Sequence, residues 1–477
     1  MKSQFRKLIY LILLLTLATG MVVQPVKAAP PVNYQSGFQI RNLSSTTATV
    51  SIAFYAPDGT TVLTLADTVA GNATNTYFPL TDAALPGSGE PPNGFQGAVV
   101  ISSDQPVASI SNLVGYGSSG SAISYASYSA FFGGSSLFYL PLLMKGNYGY
   151  NTFFSVQNTG STATDVSVTY SDGTTNSITN LQPGAATKLD QTLETHSATV
   201  FSASLQTTGN VPIAAVVVEV GPTTLFAYGG FGGGSTGLVM PLINENNFGY
   251  FTGIQIQNLG ASNSDVTVSY TPGSGMPGTA CQETRTVAAG KSVTFGQNVF
   301  VTTSDPATLV SENCNQGETF VGSGVVTANT NSMPLVGVVN QLNTGANKGA
   351  AYDAFAPSQG QQKVVFPLIM DRNWGYFTSW SIANVGSTTI TSTDLVCTVT
   401  GKDKLGATVT LNFSPSVDLG PGANWTMNHV NQLANGFVGG ATCLGPTGAQ
   451  LVGTVNQLLS TGTIDSFLVY EGFSVAP

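Results

Sequence analysis

Charge is scarce in this chain of 477 residues: Asp, Glu, Lys and Arg make up 8% of it, against about a quarter in an ordinary soluble domain. Histidine is scarcer still, with His196 and His429 alone, and there are four cysteines. No long stretch repeats with a helical period, and the abundant Thr, Val, Gly and Asn are poor helix formers. Each shortage excludes something. The two histidines stand at non-equivalent places, because His196 follows Gly184 at a longer interval than His429 follows Gly422. They offer no shared catalytic or metal centre, and both are expected to be solvated or capping side chains. The acids are scattered. Asp58 and Asp172 fall in hairpin turns, and Asp165 and Asp265 fall just ahead of a strand, where turn chemistry explains them. No calcium-type loop of clustered Asp and Asn appears, and no Cys-x-x-Cys. The glycine-rich "GYGSSGS" and "FGGGSTG" do not join a strand to a helix, as a phosphate loop must. The expectation is a chain that is not an enzyme, with no cofactor and no bound metal.

Clustered Lys and Arg are also missing, which argues against nucleic acid and anionic membrane surfaces. The N-terminus is the exception. Lys2, Arg6 and Lys7 precede the apolar "LIYLILLLTLATGMVV", and Val26-Lys27-Ala28 fits a small-x-small cleavage site. Residues 1–28 read as a cleaved signal peptide, with the mature chain starting near Ala29. A membrane anchor is the alternative, but the run is shorter than a typical span of roughly 20 residues. Cleavage leaves ten basic residues against 23 acidic ones, a net charge of −13. No cysteine follows the apolar run to carry a lipid, and the closing "FLVYEGFSVAP" holds neither an apolar span nor a sorting motif. The mature chain is therefore expected to lack a transmembrane segment and to be extracellular or at the cell surface. A 42% hydrophobic content is enough to build cores.

What the chain has in plenty is repetition. "PLLMKGNYGYNTFFSVQNTGST" from Pro141 returns as "PLINENNFGYFTGIQIQNLGAS" from Pro241 and "PLIMDRNWGYFTSWSIANVGST" from Pro367. Asn42, Asn158, Asn258 and Asn384 each end an opening strand and lead into a short polar turn. An alternating strand follows. Val166, Val168 and Tyr170 share one face of it; Val266, Val268 and Tyr270 repeat the pattern, as do Val50, Ile52 and Phe54. Period two with one apolar face marks a half-buried strand of an antiparallel sheet. Hairpin turns ("PDG", "SDG") and Gly-marked bends ("VAGN", "QPGA", "AAGK", "GPGA") recur, with seven or eight short strands to each unit. The fold class expected is all-β: four tandem antiparallel β-sandwiches over 29–136, 137–234, 235–360 and 361–477. In pattern this resembles the immunoglobulin-like repeats of bacterial surface and adhesion proteins, although the Cys…Trp…Cys spacing of true immunoglobulin domains is absent. The resemblance implies structural or adhesive work.

The cysteines allow three pairings. Those within a unit, Cys281 with Cys314 and Cys397 with Cys443, are preferred for an exported chain. Four triplets begin Asn-x-Ser/Thr, at Asn42, Asn72, Asn412 and Asn424, but such triplets arise easily by chance here. The repeated turn Asn-aromatic-Gly-Tyr supplies the candidate interface or ligand residues: Tyr148 and Tyr150, Phe248 and Tyr250, Trp374 and Tyr376. The first expectation is that these aromatics plug the seams between consecutive sandwiches. The second is an exposed platform that stacks on sugar rings.

The interval from Pro to strand-ending Asn is the same in the last three units: Pro141 to Asn158, Pro241 to Asn258 and Pro367 to Asn384. The same interval counted back from Asn42 reaches Pro25, inside the signal peptide. If the Pro-Leu strand belongs to the unit it precedes, unit one has an open edge for strand addition. If it closes the unit it follows, unit four is short and "FSVAP" is its truncated form. The function expected is a structural protein of a surface layer, sheath, filament or adhesive stalk. Repeated domains would set length and spacing, with self-association or other surface proteins as partners. The alternative is an extracellular glycan-binding protein using the aromatic turns.

Overall fold

The computed structural model describes residues 30–77, 95–296, 307–459, 462 and 464–476; the signal-peptide stretch and Pro25 lie outside them. The described chain is almost entirely strand, with two single-turn 3-10 helices, Thr208–Asn210 and Pro357–Gln359. All sheet pairings between named strands are antiparallel, and the eight sheets fall two to each sequence repeat. Unit two shows the plan. One sheet runs Thr175–Leu181, Thr164–Tyr170, Val200–Thr207, Leu137–Met144; the other runs Ala186–Asp190, Asn151–Asn158, Ile213–Val220, Leu225–Gly229. Val166, Val168 and Tyr170 are buried between them, as are their counterparts in units one and three. Apolar burial of this kind contributes about 1.5–3 kcal/mol per large side chain. Units three and four each hold nine strands, adding Leu309–Glu312 and Phe473–Val475 to the plan.

The repeated Asn is a staple. Asn158 is fully buried; its Nδ2 donates to the carbonyls of Thr162 and Leu181, both at 2.8 Å, and its Oδ1 accepts from the Gly160 N–H at 2.8 Å. Asn42, Asn258 and Asn384 make the same three bonds. Asn42 is thus sealed against glycosylation. Asn424 is buried too, with its amide on the Pro241 carbonyl, while Asn72 and Asn412 are exposed. Both within-unit disulfides form: Cys281–Cys314, and Cys397–Cys443 directly across paired strands.

The Pro-Leu strand belongs to the unit it precedes. Leu137–Met144, Gly237–Glu245 and Lys363–Asp371 pair with Val200–Thr207, Phe320–Ala328 and Phe437–Leu444, each with a register shift at the Pro-Leu step. Proline has no N–H to give a ladder, and the bulge lifts the following Leu out of register. A tyrosine catches that Leu. The Tyr228 hydroxyl donates to the Leu142 carbonyl at 2.6 Å and accepts its N–H at 3.1 Å. Tyr352 does this for Leu242, and Tyr470 for Leu368. "FSVAP" is therefore no truncated copy; Phe473–Val475 pairs with the outer edge of Lys363–Asp371. In unit one the sheet is three strands, Thr61–Val69, Ala48–Tyr55 and Ala98–Ser103, and no described residue pairs with the far edge of Ala98–Ser103. Its tyrosine, Tyr128, bonds instead to Ser111, which stands where the other units have Val217, Val339 and Val455.

The units do not lie along a rod. The last main strand of each, Ala122–Ser129, Leu225–Gly229, Lys348–Asp353 and Phe467–Glu471, touches the next in turn, and the fourth returns to the first. The outer faces of units three, four and one complete the cores of units two, three and four. Val338 and Ala351 join the core of unit two, Phe467 and Val469 that of unit three, and Ala108 and Ile110 of unit one that of unit four. Leu225 and Ala227 pack on Leu113 and Ala126 of unit one. The chain is a closed ring.

Four axial strands meet at two levels. At one, the Asp465 carboxylate accepts the N–H groups of Leu225 and Gly349, and the Asp465 N–H donates to the Ile123 carbonyl. Further along, Glu471 accepts from the Asp353 N–H and the Ser129 hydroxyl, both at 2.7 Å. The strands therefore run along the ring axis, and equivalent turns of all units open on the same face.

Seam residues at one repeated pair of positions differ from junction to junction: Leu113 with Val218, Glu219 with Asn340 at 2.7 Å, Gln341 with Asn456 at 3.3 Å. Burial pushes the Glu219 carboxyl up to about 8, against a hydrogen bond from Asn340 that pulls it down. A folded pKa raised above the usual 4.5 stabilises fully below about pH 4.5, and that contribution is lost as pH rises through 8. The melting temperature is expected to fall between about pH 5 and 9. In Glu219→Gln, which installs the residue found at positions 341 and 457, the fall is reduced and stability at pH 8 rises by about 1 kcal/mol or more. Thermal unfolding of both proteins across that range checks this.

Candidate functional site

Each Asn-aromatic-Gly-Tyr segment is a two-residue hairpin loop. The Asn147 N–H donates to the Tyr150 carbonyl at 3.0 Å and the Tyr150 N–H to the Asn147 carbonyl at 2.8 Å; Asn247–Tyr250 and Asn373–Tyr376 close in the same way. Tyr148 and Gly149 have φ of 49° and 89°, Phe248 and Gly249 of 51° and 83°, Trp374 and Gly375 of 52° and 84°. Two successive positive φ values make a type I′ turn, whose twist matches a right-handed hairpin. Glycine suits the second place. The first is normally Asn, Asp or Gly, because a left-handed conformation costs other residues roughly 1–2 kcal/mol.

The backbone around the loop is held by a threonine. Thr152 is buried, and its hydroxyl accepts the Met144 N–H at 3.0 Å and donates to the Met144 carbonyl at 3.2 Å. Thr378 does the same to Met370, and Thr252 accepts the Asn244 N–H. These threonines follow each loop Tyr closely in all three copies of the repeat, but nothing in an exposed-looking "YNT" or "YFT" marks the side chain as interior.

The two aromatics of each loop part company. Tyr150, Tyr250 and Tyr376 are half-buried, Tyr250 and Tyr376 against the next unit and Tyr150 against residues of its own. Tyr150 bonds to Thr224 at 2.9 Å and meets Phe226 edge-on; Tyr250 meets Phe467 of unit four edge-on; Tyr376 bonds to Tyr125 of unit one. Burial raises all three phenols, Tyr250 to about 12. Tyr148, Phe248 and Trp374 do not plug seams. They are 91%, 93% and 92% exposed, because a side chain at the first loop position of a type I′ turn points away from both strands.

Two leucines join them. Leu193 and Leu405 are 84% and 91% exposed. Leu193 lies in the loop before Val200–Thr207, and Leu405 in the turn between Val396–Lys402 and Thr408–Phe413. Strand directions put both loops at the same end of the sandwich as the aromatic turns. The five described large apolar side chains that are more than four-fifths exposed therefore occupy one face of the ring. "KDKLGA" was the signal for Leu405: a lone Leu in a charged turn has no core to reach.

The histidines are buried, contrary to expectation. His196 Nδ1 lies 3.1 Å from Asp172, Nε2 lies 3.0 Å from Gln191 Oε1, and the ring stacks on Phe201. Burial opposes ionisation of Asp172, yet hydrogen bonds from Thr174, Ser197 and His196 hold it at about 2. His429 donates from Nδ1 to the Thr378 carbonyl at 2.7 Å against Trp380, and burial lowers it to about 4. Each histidine braces the loop beside an aromatic turn. Among the described residues no group of three or more His, Cys, Asp or Glu is placed to hold a metal, and no helix is long and apolar enough to cross a membrane. No protein-family model matches the chain, and no curated protein matches it.

If the exposed aromatics serve binding rather than folding, Asn should suit their positions better. Tyr148→Asn, Phe248→Asn and Trp374→Asn are each expected to raise stability, by about 0.5–1 kcal/mol. Denaturant titration measures this, and a loss of stability would mean that the rings pack.

Proposed function

We propose that the chain is an exported, non-enzymatic structural and adhesive protein of the cell surface. Its repeats are read as the immunoglobulin-like type, closed into a ring that attaches through its aromatic face. The observation that carries this is the set of three type I′ turns, each holding an aromatic in an unfavourable backbone conformation with its ring in solvent. Strain of this kind persists where a functional demand maintains it, and exposed apolar groups gathered on one face mark an interaction site. The charge-poor Ser/Thr/Asn surface elsewhere suits close packing at a cell boundary.

A second reading uses the same residues. Tyr148, Phe248 and Trp374 present free ring faces on one side of the molecule, the arrangement that stacking on extracellular glycans requires. Self-assembly is part of the first reading, through the edge of Ala98–Ser103 that no described residue pairs, where a strand from another copy adds.

Electron microscopy of the secreted protein at rising concentration tests assembly: linked rings are expected, and single rings at every concentration would remove strand addition. Attachment is tested with labelled protein on cells of the source. The Tyr148→Ser/Phe248→Ser/Trp374→Ser variant is expected to lose at least about tenfold in binding, a loss of about 1.4 kcal/mol. Undiminished attachment by the variant would overturn the role of the face.

A further inference from the structure

We infer that the aromatic face docks on the interfacial layer of a zwitterionic lipid bilayer; this rests on the attachment reading above and names its target. Three observations favour lipid over sugar or a protein partner. First, the exposed set is Tyr, Leu, Phe, Trp and Leu. An apolar medium accepts all of these, whereas stacking on a sugar ring needs an aromatic and gains little from Leu193 or Leu405. Second, the three aromatics stand on three separate sandwiches at equivalent positions of a ring whose strands run along its axis. They therefore reach a common plane, which a bilayer offers and a single sugar chain or peptide groove does not.

Third, charge selects the lipid. The chain carries −9 overall, and −13 once residues 1–28 are removed, so an anionic surface repels it, while the exposed Lys402 and Lys404 beside Leu405 suit the phosphates of zwitterionic headgroups. Trp and Tyr favour the headgroup level, and Phe and Leu the acyl boundary beneath it.

Trp374 is also the reporter. Of the three tryptophans, Trp380 is fully buried and Trp425 packs edge-on against it, so a change in emission on docking comes from Trp374. The full secreted protein is mixed with phosphatidylcholine vesicles and with mixed phosphatidylcholine–phosphatidylglycerol vesicles, then floated on a density gradient. Co-flotation with phosphatidylcholine vesicles and a blue shift of emission are expected. Trp374→Phe keeps the flotation and loses the shift. The Tyr148→Ser/Phe248→Ser/Trp374→Ser variant, at unchanged melting temperature, loses at least about tenfold in vesicle partition, and Leu193→Ser/Leu405→Ser loses part of it. No flotation of the unaltered protein, with cell attachment intact, overturns the lipid target and leaves the attachment reading standing with a glycan or protein as target. Flotation only with the anionic vesicles, unaffected by the variants, also overturns it, as charge adsorption. Loss of both vesicle and cell binding in the unaltered protein overturns both readings.

Discussion

One buried carboxylate ties the molecule together. Asp465 of unit four collects the N–H groups of Leu225 from unit two, of Gly349 from unit three and of Phe467 two residues on, while its own N–H reaches Ile123 in unit one. Burial pushes this carboxyl up, and the three N–H donors and nearby Lys348 oppose that rise. Lys348 is itself buried, with its ammonium on the Ile464 carbonyl and the Ser466 hydroxyl. An uncompensated charge here would cost several kcal/mol; satisfied on all sides, it fixes four strands about one axis. The rest of the architecture follows from that closure. Each unit docks its outer face on the preceding unit, a head-to-tail contact that generates a ring when its rotation closes. The cores of units two, three and four are each completed by residues of the next unit.

Closure alone does not say which unit sits beside which; the chain order and the seam residues do. The apolar pair Leu113–Val218 would leave Glu219 or Gln341 without a partner if units were exchanged, and a buried polar group left unpaired costs about 1–3 kcal/mol. The seams thus discriminate among themselves by mismatch as well as by match. Gln457 and Asn112 at the closing junction each keep a side-chain atom without a hydrogen-bond partner, as do Glu219 and Asn340 at the junction of units two and three.

Much of the fold was legible from alternation and spacing. Val166, Val168 and Tyr170 lie inside because period two admits one inner face, and the recurring Asn marked a turn that only a short amide can staple. The pairing of Cys281 with Cys314 and of Cys397 with Cys443 followed from the repeat. Ring closure was not legible, because a period reports that units are alike and carries no information about the rotation between them. The candidate site was half legible. The turn stood out, but Tyr148 and Tyr150 looked alike as letters; they differ because the left-handed backbone at Tyr148 turns its ring outward while Tyr150, beyond the turn, packs on Phe226. The histidines were misjudged because their partners, Asp172, Gln191 and Thr378, are distant in sequence or hidden inside turns.

The closing seam also sets an order of events. Ser127 bonds to the Val469 carbonyl across 342 residues of chain, and Ala108 and Ile110 have their apolar neighbours in the last unit made. Contacts of such separation must wait for loop closure. While the chain is synthesised, the first unit therefore keeps an apolar face uncovered until the fourth arrives. The ring cannot mature one domain at a time from its N-terminus. Its final step is a single long-range closure, and a chain stopped before residue 465 retains both the uncovered face and the unanchored axis, which makes it a substrate for aggregation or proteolysis rather than a shorter version of the same protein.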